Sequence, residues 1–168
     1  MRKITLLVII ASFFTILNAS DDKMSVSTVD GKKINIIGTE EGLKFPEYSG
    51  KVIFLEFFGH RCPPCIKSIP HYKKLQAKYQ NKLAIIAIEV QGLDNGDLKS
   101  FARKKGINYD VIAQEKAGDL VRYIATRAEW QGAIPFLVVL DTKGNVQLVQ
   151  AGMLPESALE NLINKLSK

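Results

Sequence analysis

The chain has 168 residues, of which 46 % are hydrophobic and 24 % charged. Those proportions exclude a disordered, collagen-like or multi-span membrane chain, and the length suits one ordinary domain with a short appendage. The formal charge of +6 is moderate and its lysines are scattered, as in Lys32–Lys33, Lys73–Lys74 and Lys104–Lys105, so a solvated surface is expected and nucleic-acid binding is not.

Residues 1–19 read as a secretory signal. Arg2 and Lys3 precede an apolar run from Ile4 to Leu17, broken only by Thr5, Ser12 and Thr15, and Ala19 and Ser20 offer small residues for cleavage. As a helix that run would rise only ~21 Å, short of the ~30 Å hydrocarbon core, so cleavage is expected rather than a permanent membrane tether. No cysteine follows the cut, which argues against a lipid anchor. Removal would leave 21 basic against 17 acidic residues, a charge of +4.

One domain is expected over 24–168. Ser25–Val29 and Lys33–Ile37 flank Asp30-Gly31 and read as a β-hairpin, because glycine reaches positive φ without a Cβ clash. Val52–Phe58 is a continuous apolar run interrupted only by Glu56, the pattern of a central strand buried on both faces. Pro63–Tyr79 carries Ile66, Ile69, Leu75 and Tyr79 near helical spacing, with Pro70 expected to kink the helix. Leu83–Val90 reads as a second buried strand, Asp97–Lys105 as a helix stopped by Gly106, and Ala117–Ala128 as another helix. Phe136–Leu140 and Val146–Gln150 flank the turn residues Asp141 to Asn145, and Glu156–Leu166 closes the chain as an amphipathic helix after Pro155. The expected order is ββ, βα, βα, α, ββ, α. It implies an α/β domain with a mixed sheet covered by helices on both faces.

The two cysteines both lie in Cys62-Pro63-Pro64-Cys65, where a buried strand turns into a helix. At that point Cys62 is the cap-like residue, its sulfur beside unpaired N–H groups and the positive end of the helix dipole, which favours thiolate over thiol. Cys65, one turn later, can attack a mixed disulfide formed at Cys62 and release the reduced product. Pro63 and Pro64 have no N–H, so a backbone donor to the Cys62 sulfur has to come from Cys65 or Ile66. Arg61 adds a positive charge beside it. Two other uses of the pair fit it less well. A brace across so short a loop gives only ~2 kcal/mol before strain, against ~3 kcal/mol for a 15-residue loop. A zinc site needs two more ligands, and His60 and His71, the only histidines, do not have finger or ribbon spacing.

Glu56 is the second unusual residue. A carboxylate inside that apolar strand is desolvated, and burial raises its pKa. It is a candidate acid-base partner for Cys65 beneath the dithiol; the alternative is that strand twist lets it reach solvent or a lysine. Pro135, which opens the Phe136 strand, cannot donate to a ladder there.

The apolar strand with Glu56, Phe57-Phe58-Gly59, Cys62-Pro63-Pro64-Cys65, the helix with Pro70 and Ile134-Pro135 before a strand together resemble the thioredoxin superfamily. The likeness runs from about Ser25 to Leu166 and is greatest to exported thioredoxin-like reductases of the TlpA, ResA and CcmG type. The resemblance implies a thioredoxin-like fold with an added N-terminal β-hairpin. It also implies a cis Ile134–Pro135 bond packed on the dithiol, where Ile134 backbone groups pair with an extended substrate, with Pro63 and Pro64 at the rim. Two positions depart from the family pattern: Arg61 stands where tryptophan is usual, and Ser68 where many cytochrome-maturation members carry glutamate.

The leading functional reading is a periplasmic thiol-disulfide oxidoreductase with no cofactor and no metal beyond its Cys62/Cys65 dithiol. It would act as a monomer, reduce protein disulfides, with apocytochrome c as one candidate substrate, and draw electrons from a membrane thiol-disulfide donor. The alternatives are a disulfide-donating oxidase of DsbA type and a non-enzymatic periplasmic copper carrier using the thiolates and a histidine.

Overall fold

The computed structural model describes residues 22–168, so the signal segment at 1–19 lies outside the described residues. Two sheets make up the fold. The first is antiparallel, in the order β1 (Asp22–Ser27), β2 (Lys33–Gly38), β3 (Leu43–Lys44). The expected hairpin is present, but its connection spans Thr28 to Lys32. Thr28 N–H donates to the Lys32 carbonyl at 2.9 Å, and Gly31 takes φ 85°.

The second sheet is mixed and has five strands in the order β6-β5-β4-β7-β8. They are β4 (Val52–Phe58), β5 (Leu83–Glu89), β6 (Asp110–Ala113), β7 (Phe136–Leu140) and β8 (Val146–Ala151). β4 lies at the centre, parallel to β5 and antiparallel to β7. Four helices complete the chain: α1 (Pro63–Lys78), α2 (Asn95–Lys105), α3 (Gly118–Arg127) and α4 (Glu156–Leu166). This is the expected thioredoxin-like α/β arrangement. Two strands were not anticipated from the sequence. β3 has only two residues, and β6 forms because Val111, Ile112 and Ala113 extend the sheet parallel to Ala87, Ile88 and Glu89.

Side chains alternate along β4 and divide the interior. Ile53, Leu55 and Phe57 pack with Ile34 and Ile36 of the first sheet and with Leu120 and Ile124 of α3. Val52 and Phe54 face the other way, onto Tyr72 and Leu75 of α1 and Leu159 and Ile163 of α4. Phe58 continues that face against Leu98 and Ala102 of α2. By the same parity Glu56 points to the α1 side, so the one acid of the strand is aimed beneath the dithiol helix.

Helix ends follow local chemistry. Asp94 caps α2, accepting the Asp97 N–H at 2.9 Å, so that helix starts two residues before the expected Asp97. Gly106, at φ 61°, stops it as expected. α1 runs through Pro70 to Lys78.

The sheets are joined at a seam where Leu43 N–H donates to the Gly144 carbonyl and Val146 N–H to the Glu41 carbonyl, both at 2.9 Å. A Cβ on Gly42 would stand 2.2 Å from the Gly144 carbonyl oxygen, a backbone atom that cannot swing aside. Gly42→Ala is therefore expected to lower stability by about 1–3 kcal/mol. Urea unfolding should show a lower midpoint at unchanged slope.

Candidate active site

The site is assembled where β4 gives way to α1. Phe58 ends the strand, residues 59–61 turn, and Cys62 N–H donates to the Gly59 carbonyl at 3.2 Å. Cys62 then caps α1 in extended conformation, φ −100° and ψ 106°. Pro63 and Pro64 occupy the first two helical positions, where missing N–H groups cost nothing. Of the two expected donors, Cys65 N–H points at Cys62 Sγ at 3.4 Å, and Ile66 N–H takes the Cys62 carbonyl instead at 3.0 Å. The Cys62 sulfur thus sits at the positive end of the helix.

Cys62 and Cys65 are joined as a disulfide, with Cα atoms 5.2 Å apart. They are not equivalent. Cys62 keeps 6 % of its surface and Cys65 none, so an incoming sulfur can reach only the first. Pro63 and Pro64 are exposed and form the rim beside it. The Ile134–Pro135 bond is cis. Ile134 packs against the group of buried side chains that holds both cysteines, and the Pro135 carbonyl accepts the Gly152 N–H at 2.8 Å. The loop before it is fixed by Trp130, whose ring lies 5.4 Å from Phe136 and 4.8 Å from Phe57 and whose Nε1–H donates to the Ala133 carbonyl at 2.7 Å.

Glu56 is 2 % exposed and reaches neither solvent nor a lysine among the described residues. Burial pushes its carboxyl up to about 8, opposed only by the Ser68 hydroxyl. That hydroxyl lies 3.5 Å from Glu56 Oε1 and 2.8 Å from the Cys65 carbonyl oxygen, so Ser68 spans the acid and the second cysteine. Burial, and then the Glu56 charge, also hold the Tyr72 and Tyr109 hydroxyls well above the ordinary tyrosine range. A carboxyl so placed is neutral at pH 7 and can exchange a proton with a thiol near pH 8.

Two groups near the dithiol were not anticipated as site residues. Glu89, the last residue of β5, is wholly buried and lies 2.8 Å from His60 Nδ1. Gln91 Oε1 accepts the Arg61 N–H at 2.9 Å. The sequence signal for Glu89 was the same as for Glu56, an acid within an apolar strand. His60, a candidate ligand in the zinc and copper readings, has its Nδ1 engaged by Glu89.

The sequence matches the AhpC/TSA family over residues 21–149. Among relatives, the thiol-disulfide oxidoreductase ResA of Bacillus thuringiensis subsp. konkukian is 27 % identical over 143 residues, covering 84 % of this chain and 73 % of that protein. ResA of Geobacillus thermodenitrificans is 24 % identical over 171 residues, covering 99 % and 94 %. Among solved structures, a thioredoxin-family thiol:disulfide interchange protein from Chlorobium tepidum superposes with a TM-score of 0.69 at 23 % identity, covering 87 % of this chain and 94 % of its own.

Proposed function

Since the chain belongs to the AhpC/TSA family of thioredoxin-like proteins, we propose that it is a thiol-disulfide oxidoreductase working through Cys62 and Cys65, with protein disulfides as substrates. The observation that carries this is the disulfide at the opening turn of α1, with Cys62 keeping the little exposed surface the pair has and Cys65 none. In the dithiol state the Cys62 thiolate attacks a substrate disulfide; the Cys62–substrate bond forms and the other substrate sulfur leaves as a thiolate, which takes its proton from water. Cys65, deprotonated, then attacks Cys62, restoring the Cys62–Cys65 bond and releasing the second substrate sulfur as a thiolate, which is protonated by the acid that took the Cys65 proton. The two electrons come from the dithiol, and no metal or organic cofactor takes part. Glu56, in the ionised form that grows as pH approaches its value of about 8, takes the Cys65 proton in that second step, and Ile134 beside cis-Pro135 aligns the substrate chain.

The finer reading is a reductase exported to the periplasm, with apocytochrome c as one candidate substrate and a membrane thiol-disulfide donor restoring the dithiol. The apolar segment ahead of Ala19 supports export, and an oxidising compartment gives a dedicated reductant its use. Among the described residues no helix is long and apolar enough to cross a membrane. The protein acts as a monomer in this reading. Engagement of His60 Nδ1 by Glu89 removes one histidine nitrogen from the copper-carrier alternative.

The test is an insulin-reduction assay with dithiothreitol together with the Cys62/Cys65 potential. Catalysed precipitation and a potential nearer ~−270 mV than ~−120 mV are expected. A potential at the oxidising end would assign the protein to disulfide donation instead, and stoichiometric copper with no catalysis would make it a carrier.

A further inference from the structure

Ser68 has no part in the reaction above, yet its hydroxyl touches both residues of the second step. It is 2 % exposed and lies one turn of α1 beyond Cys65. Its Oγ is 2.8 Å from the Cys65 carbonyl oxygen and 3.5 Å from Glu56 Oε1. A hydroxyl has one hydrogen to give and lone pairs with which to accept. The carbonyl can only accept, so the shorter contact takes the hydrogen. What a neutral Glu56 carboxyl meets across the longer one is a hydroxyl oxygen with lone pairs to spare.

A serine bonded back to the carbonyl three residues earlier is common in helices and by itself says nothing. Here the other side of the hydroxyl faces an acid of the central strand that has no second polar partner among the described residues. The ladder neighbours of Glu56 are Ala87 of β5 and Leu137 of β7, and α2 and α4 bring Leu98, Ala102, Leu159 and Ile163 to this side of the sheet. None of those side chains can donate. The titratable groups that feel the Glu56 charge are the Tyr72 hydroxyl of α1 and the Tyr109 hydroxyl ahead of β6; burial holds both well above the ordinary range, so neither ionises where Glu56 does. When Glu56 loses its proton, the Ser68 hydroxyl is thus the donor at hand. Rotation about its Cβ–Oγ bond turns the hydrogen from the Cys65 carbonyl to the carboxylate, exchanging a neutral hydrogen bond for a charge-assisted one.

We propose that Ser68 is a positioning residue, whose single hydroxyl hydrogen passes between the Cys65 carbonyl and the Glu56 carboxylate and holds the ionised acid against the turn of α1 that carries Cys65. This rests on the oxidoreductase reading only in giving that carboxylate the Cys65 proton to take. Ser68 keeps its own hydrogen throughout, and no covalent bond of its side chain breaks. Without the hydroxyl, the carboxylate would be left in an apolar layer with no donor, and the acid would stay neutral to higher pH.

The experiment follows the Glu56 carboxyl by carbon-13 NMR in the oxidised protein, where the joined cysteines cannot titrate, with Glu56→Gln to assign the resonance. Ser68→Ala is expected to raise the midpoint by about one pH unit, and Ser68→Thr, which keeps a hydroxyl, to bring it back towards the parental value. In the unmutated protein the Cys65 carbonyl resonance should move with the Glu56 midpoint as its side-chain donor turns away, a readout that needs no variant to fold. In Ser68→Ala that movement should be lost. In the reduced protein, closure by Cys65 of a mixed disulfide formed between Cys62 and glutathione should slow about tenfold at pH 7 in Ser68→Ala, with its pH profile moved upward. A Glu56 midpoint that does not rise in Ser68→Ala, or a Cys65 carbonyl that ignores the Glu56 titration in the unmutated protein, would overturn the proposal and leave Ser68 an ordinary helix serine. A raised midpoint with an unchanged closure rate would instead remove Glu56 from the Cys65 step and leave the role of Ser68 standing.

Discussion

Replacing Cys65 with serine is expected to turn the protein into a trap, in which substrates captured at Cys62 persist as mixed disulfides, whereas Cys62→Ser captures none. The asymmetry follows from the helix terminus. Cys62 has the N–H of Cys65 directed at its sulfur, the helix dipole behind it and the remaining exposed surface of the pair. Cys65 is fully covered and can reach only a bond already made at Cys62. Without the second thiol the adduct has no intramolecular route to release, and an external thiol must replace it. Turnover should fall on the order of 10³-fold or more in Cys62→Ser, since removing an attacking group removes the reaction path itself. Non-reducing gels of thiol-blocked extracts should show dithiothreitol-sensitive adducts with Cys65→Ser alone. Full turnover by that variant with a protein disulfide, or adducts seen only with Cys62→Ser, would reverse the two roles. The captured proteins would also identify the natural substrate and the electron donor.

Much of this site was legible in the chain because it is local. Cys62, Pro63, Pro64 and Cys65 are adjacent, and the preferences of a helix's first turn decide their arrangement before any tertiary contact forms. Glu56 could be placed by parity, since its neighbours Phe54 and Phe58 share its face of β4. What was hidden depends on distant segments. β6 is four residues long and exists through pairing with β5, so neither its length nor its pattern marks it out. Glu89 carries the same signal as Glu56, an acid in an apolar strand, but its partners are not legible: its following residues Gln91 and Leu93 fold back onto it while His60 arrives from 29 positions away. Ser68 stood out in the sequence only as a departure from the family pattern, a serine where many members carry glutamate. Only the register of α1 over β4 reveals it between Glu56 and Cys65. Tyr48, with its hydroxyl on Asp110 and the Lys32 ammonium 2.6 Å away, likewise unites three segments that no local signal connects.

Glu56→Gln is expected to flatten the pH dependence of stability and to stall the second half of the reaction. The carboxyl's ordinary value is 4.5, and burial lifts it to about 8 in the folded protein. Below the ordinary value it is protonated in both folded and unfolded chains and has no effect. As pH rises above that value the unfolded chain ionises while the folded one does not, so stability falls by about 1.4 kcal/mol per pH unit. The decline ends near the folded value, having removed on the order of 5 kcal/mol. An amide cannot ionise, so the urea midpoint of the oxidised variant should stay nearly level over the range in which the parent declines. Parallel curves would show that Glu56 is charged in the folded state at neutral pH. The catalytic consequence is separate. With no carboxylate to take its proton, Cys65 should close the disulfide roughly 100-fold more slowly, and adducts at Cys62 should accumulate during turnover. Alkylation of Cys62 should remain at the parental rate, because its thiolate is favoured by the opening turn of α1 and the Cys65 N–H rather than by the acid in the strand beneath. Slowing of both sulfurs together would mean that the two protons share one route.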